Sequence, residues 1–160
     1  MKTHLLFFVL LLSFVVSGCA TKCPPLTDSQ KVDIEKQILK IANDLRIFSE
    51  KLDVNSYANF ISSDEFIAAY SGGSAIRSRK EWIDRVGVSW SERKSQEVGQ
   101  VQFKVTVLTS EMVLLDRESV FQATFKDGRN KRFNHAASVI YKKEASGWKV
   151  IHIHESIKYI

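Results

Sequence analysis

Ile34, Ile38, Ile41, Leu45, Phe48 and Leu52 recur at alternating steps of four and three, the signature of one apolar stripe on a long amphipathic helix. Asp28 or Ser29 stands where a cap for its start is expected. A short second helix is predicted from Asp53 or Asn55 through Phe60, and Phe66–Tyr70 reads as a strand that stops at Ser71-Gly72-Gly73-Ser74. Ser78-Arg79-Lys80-Glu81 has the form of a capping box, which predicts a third helix from Arg79 to about Ser89 that buries Trp82 and Val86. From Gly99 onward the period changes to two. Strands are expected over Val101–Thr109, Met112–Lys126, Arg132–Lys143 and Trp148–Ile157, joined by Ser110-Glu111, Asp127-Gly128 and Ala145-Ser146-Gly147. Those links are short enough for hairpins, so the strands should form an antiparallel meander.

Because side chains alternate across a sheet, each strand divides into two faces. One face collects Val101, Phe103, Val105 and Val107, then Leu115 to Phe125, Phe133 to Tyr141 and Ile151 to Ile157 in steps of two. It is apolar apart from Ser119, Arg117, His135 and Glu155. The other face carries Asp116, Glu118, Ser138, Trp148, His152 and His154. The apolar face must be the one that the helices cover. A charge buried there is costly unless paired, so Arg117, His135 and Glu155 either neutralise one another or face a ligand.

The chain has 160 residues, 44% of them hydrophobic and 26% charged, which suits one folded domain and excludes disordered, collagenous and coiled-coil classes. Its 23 basic and 18 acidic residues are interleaved, so the net charge of +5 gives no nucleic-acid-binding patch. Residues 1–18 have the form of a signal peptide: Lys2, an apolar run from Leu5 to Val16, then Val16-Ser17-Gly18-Cys19. That run would span only about 18 Å as a helix, against about 30 Å of bilayer core. The closing tetrapeptide resembles a bacterial lipobox, which implies cleavage between Gly18 and Cys19 and a lipid on the Cys19 thiol. Residues 19–27 would then be a lipidated tether, stiffened by Pro24-Pro25 and at most about 25 Å long. Ala20 is not the Asp that retains such proteins at an inner membrane, which implies an outer-membrane, periplasm-facing protein where the host has two membranes. Cys23 would remain as a lone thiol, so no intrachain disulfide is expected.

Helices followed by a long meander ending in Gly147-Trp148-Lys149-Val150-Ile151-His152-Ile153-His154-Glu155-Ser156 resemble the nuclear transport factor 2-like superfamily, in particular SnoaL-like and ketosteroid isomerase-like domains. The resemblance covers residues 28–160. It implies an α+β roll, a cone in which N-terminal helices pack into the concave face of a curved sheet and leave a pocket between them. In such a cone Arg117, His135 and Glu155 would line the pocket, with Tyr57, Tyr70, Trp82 and Trp90 as walls. The isomerase mechanism is not expected, because the first helix has no Tyr, the core face of Leu115–Phe125 has no acid, and Asp64 sits in the polar turn Ser62-Ser63-Asp64-Glu65.

His152 and His154 project from one strand to the outer face, but Asp116 and Glu118 lie two strands away, about 10 Å, so no metal site and no cofactor are expected. With Trp148 they form a candidate homodimer interface. Lys126, Arg129, Lys131 and Arg132 crowd one hairpin tip, a solvated turn or a contact for anionic lipid. The expectation is a lipid-anchored envelope protein whose pocket binds a small molecule or partner peptide. Two alternatives stay open: an enzyme of the SnoaL-like class using His135 and Arg117, and a structural dimerisation module.

Overall fold

Thr27, one residue ahead of Asp28 and two ahead of Ser29, caps the first helix in the computed structural model, which describes residues 25–160. Its hydroxyl accepts from the Gln30 amide at 3.2 Å while the Gln30 side chain accepts from the Thr27 amide at 2.9 Å, closing a capping box. Helix α1, Asp28–Lys51, ends where Leu52 turns left-handed at φ 56°. It buries Ile34, Ile38, Ala42, Leu45 and Ser49 against the sheet. Helix α2, Val54–Ala58, is capped by Asp53, and helix α3, Arg79–Ser91, by Ser78. Gly18, Cys19 and Cys23, which carry the cleavage, lipidation and free-thiol expectations, lie outside the described residues.

Six strands form one sheet in the order β2-β1-β6-β5-β4-β3. Strands β3, Arg93–Val107, β4, Met112–Phe125, β5, Asn130–Glu144, and β6, Gly147–Tyr159, make the expected antiparallel meander. Strand β1, Ala68–Ser71, adds in parallel to β6 and turns back through Gly72 and Gly73, at φ 56° and 78°, into β2, Ser74–Ile76. Two consecutive positive φ values make this a two-residue hairpin turn that glycine adopts without strain. Strand β2 carries too few residues to show a period. Strand β3 begins at Arg93 rather than Val101 because backbone pairing of Arg93–Gly99 with Phe125–Val120 holds a stretch in which only Gln96 and Val98 are buried.

Three register breaks shape the faces, the first at the start of β3, where Arg93 pairs with Phe125 but Ser95 with Thr124. One extra residue sits in β3 between Gly99 and Gln102, where Gln100 has φ 51°. Another sits in β6: Tyr141 pairs with Val150 and Ile140 with His152, so Ile151 is a bulge. The bulge reverses the face of everything before it in β6. Trp148, expected outside, and Val150 therefore point inward and are 5% and 1% exposed. The Trp148 indole N–H donates to Gln37 Oε1 of α1 at 3.1 Å, so Trp148 joins helix to sheet and does not belong to an outer interface. Around it Ile38, Ile76, Val113, Leu115 and Tyr141 form the core, all 2% exposed or less.

A truncation there should be costly. Trp148→Ala should lose about 3–5 kcal/mol of unfolding free energy in urea titration, whereas His154→Ala on the solvent face should change it by less than about 0.5 kcal/mol. Equal effects would place Trp148 back on the outer face.

Candidate ligand pocket

Arg117 on β4, Ala137 on β5 and Glu155 on β6 stand opposite one another in register, all on the concave face. Arg117 and Glu155 are two strands apart, about 10 Å between backbones, and the small Ala137 leaves the space over the row open. His135, one step along the same face of β5, fills it. Its Nδ1 lies 3.2 Å from Arg117 Nη2 and its Nε2 3.0 Å from Glu155 Oε2. The other Glu155 oxygen accepts from the Ser71 hydroxyl on β1. One polar chain thus crosses β4, β5, β6 and β1.

Donor logic assigns the imidazole. A guanidinium only donates, so His135 Nδ1 must accept, and the ring proton sits on Nε2 and is donated to Glu155. Burial pushes the Glu155 carboxyl up, but hydrogen bonds from His135 and Ser71 and the Arg117 charge outweigh it and hold the group below the ordinary carboxylate range. Burial pulls the Arg117 guanidinium below its ordinary range. Both ring nitrogens of His135 are engaged, and the residue is 5% exposed.

These groups line a cavity of about 300 Å³ between the sheet and the helices. Tyr57 of α2 accepts from the Trp82 indole at 3.1 Å and meets Trp90 edge-on at 5.3 Å, so α2 and α3 supply one aromatic wall. Phe121 and Phe133 stack at 5.1 Å with 6° between planes and supply the opposite one. Burial raises the Tyr57 and Tyr141 phenols far above their ordinary value, so both stay protonated. Of the residues expected to line the pocket, Arg117, His135, Glu155, Tyr57, Trp82 and Trp90 do so. Tyr70 does not. It alternates with the inward Ala69 and Ser71, and packs on the outer face between His152 and His154 at 5.7 and 5.9 Å.

The pattern also misses lining residues. Tyr141 lies on the core face of β5 but reads as ordinary core, Ser71 sits at a strand end, and Arg93 and Gln96 precede the expected start of β3. Arg85 of α3 reaches the cavity and donates to the Ser71 carbonyl at 3.4 Å. Among the described residues Glu155 is the one acid lining the cavity, against Arg85, Arg93, Arg117 and Lys131. Asp64 is not among the lining residues; it accepts from Ser63 at 2.7 Å in an exposed turn.

Among the described residues no three His, Cys, Asp or Glu side chains gather as metal ligands. Nor is any described helix long and apolar enough to cross a membrane. Lys126, Arg129, Lys131 and Arg132 do stand at one tip, where Arg129 pairs with Asp127 at 2.6 Å and Lys131 lies over Phe125 and Tyr159. This tip is far from the start of α1. Gln37 meets Trp148 at the opposite end of β6, while Ser49 and Glu50, about 18 Å along the helix, meet Gln96 and Val98. The tip therefore faces away from the end at which the chain enters the domain.

Solved structures share this architecture. A hexachlorocyclohexane dehydrochlorinase of Novosphingobium barchaimii is 11% identical and superposes with a TM-score of 0.70 over 84% of this chain and 93% of its own. A candidate scytalone dehydratase of Novosphingobium aromaticivorans, 7% identical, gives 0.74 over 82% and 89%. A nuclear transport factor 2-like protein of Salmonella enterica, 13% identical, gives 0.72 over 79% and 92%. At these identities the likeness is one of fold. No functionally curated protein matches the chain by sequence. Residues 38–160 match the profile of the SnoaL-like domain, and with the helix-lined cone around the pocket the conclusion is that the chain belongs to the SnoaL-like domain family.

Proposed function

We propose that this chain is a lipid-anchored protein of the bacterial cell envelope whose cone binds a small organic anion with a flat apolar body. The observation that carries the reading is Arg117. Its guanidinium lies in the cavity, forms no ion pair among the described residues, hydrogen-bonds there only to His135 through Nη2, and keeps a buried Nε without a partner. A desolvated cation in that state is offset most directly by an anion. The aromatic walls on both sides suit a planar apolar body.

The second reading is an acid–base enzyme, in line with the dehydrochlorinase and dehydratase names carried by proteins of this fold. The His135–Glu155 contact favours it, since a carboxylate orients an imidazole and stabilises its protonated form. Binding is the better fit, because a general base needs a free nitrogen and Arg117 occupies the one that Glu155 leaves. An anion that drew Arg117 away would release Nδ1, so the two readings separate by experiment.

With 2-naphthylacetate as probe and the full-length protein in detergent micelles, calorimetry should detect binding that Arg117→Met weakens about 10- to 100-fold. Equal affinities in the two proteins would remove Arg117 from the site. In deuterium oxide, the methylene protons of bound 2-naphthylacetate should exchange no faster than in buffer. Exchange accelerated by the wild type and lost in His135→Gln would establish proton abstraction and the enzyme reading. Cys19→Ala should abolish palmitate labelling and move the protein from the membrane to the soluble fraction. Retained labelling would refute the anchor.

A further inference from the structure

Arg117 is not the only guanidinium in this state. Arg93, at the start of β3, lines the same cavity, donates through Nη2 to Ser89 Oγ at 2.9 Å, and has no ion pair within 4.0 Å among the described residues. Its Nε, like that of Arg117, is buried and unpartnered. Beside it the Oε1 of Gln96 is a third buried atom without a partner, while the Gln96 amide donates to the Ser49 carbonyl at 3.1 Å.

The two arginines start from the two ends of one row of concave-face residues on β4 and its partner β3, and both line the cavity. Arg93 pairs in register with Phe125 on β4, and Arg117, Phe121 and Phe125 follow one another along the concave face of that strand. Phe121 lies between, stacked on Phe133, with the Arg117 guanidinium 5.9 Å from its ring. Burial pulls both guanidiniums below their ordinary range, and the acids whose charge reaches them, Glu155 for both and Glu92 for Arg93, form no ion pair with either among the described residues. The two oxygens of Glu155 are already engaged by His135 and Ser71.

We propose that the cavity takes a two-headed anion, a dicarboxylate with a flat apolar body, with one head on Arg117 and the other on Arg93. This rests on the anion-binding reading and sharpens it: the body lies over Phe121 and Phe133, and Gln96 is placed to accept from any hydroxyl or amide beside the Arg93 head. Charge at both ends distinguishes such a ligand from a dianion carried on one head, such as a phosphate ester.

The test uses the full-length protein in micelles and calorimetry with four probes of one body: 2-naphthylacetate, 2,6-naphthalenediacetate, the half methyl ester of that diacid, and 2-naphthyl phosphate. The diacid should bind at least about tenfold more tightly than the monoacid, with the half ester and the phosphate no better than the monoacid. In Arg93→Gln the diacid-to-monoacid ratio should fall below about twofold, while Lys94→Gln, which removes an exposed neighbouring charge, should keep the wild-type ratio. The half-ester arm needs no variant, so the outcome stands even if Arg93→Gln fails to fold. Equal binding of monoacid and diacid, a half ester as tight as the diacid, or a ratio that survives Arg93→Gln would overturn the two-headed ligand. Monoacid binding that still depends on Arg117 would then leave the anion reading intact. Binding of none of the four probes would overturn both.

Discussion

One inserted residue in β6 makes the site and the core compatible. Trp148 and Val150 must point inward to hold α1, and Ile153 and Glu155 must point inward to face the cavity, yet an uninterrupted strand cannot place residues of both even and odd number on one face. The bulge at Ile151 changes the parity between the two sets. Before it β6 is a core strand buried beneath α1. After it the same strand lines an open cavity and pairs with β1, which brings Ser71 to Glu155. The bulge in β3 between Gly99 and Gln102 does the corresponding work in that edge strand, where it lets both Val98 and Phe103 face the core side.

The polar chain from Arg117 to Ser71 follows from that register. Three charged or titratable side chains on an apolar face would be expensive if each stood alone. Here His135 accepts from one neighbour and donates to the next, and Ser71 satisfies the far oxygen of Glu155. Only the arginine end is left incomplete. The helices add the other half of the cavity: Trp82 fixes Tyr57 by a hydrogen bond, Tyr57 meets Trp90, and Ser89 holds Arg93. The resulting space is bounded by aromatic rings above and below, with excess positive charge at its ends.

The hydrophobic pattern along the chain determined the helix stripe from Ile34 to Leu45, the helix start at Ser78, the four-strand meander with its hairpin links, and the inward face on which Arg117, His135 and Glu155 sit. These are local signals, set by side-chain period and turn chemistry, and they survive folding because each agrees with its neighbours. Tertiary structure alone decided what period cannot encode: the three register breaks, the parallel docking of β1 on β6, the inward turn of Trp148, the outward turn of Tyr70, and the entry of Arg93 and Gln96 into the cavity. A bulge is chosen by the fit of a whole strand to its partners, so a single residue's effect on facing is visible only once those partners are in place.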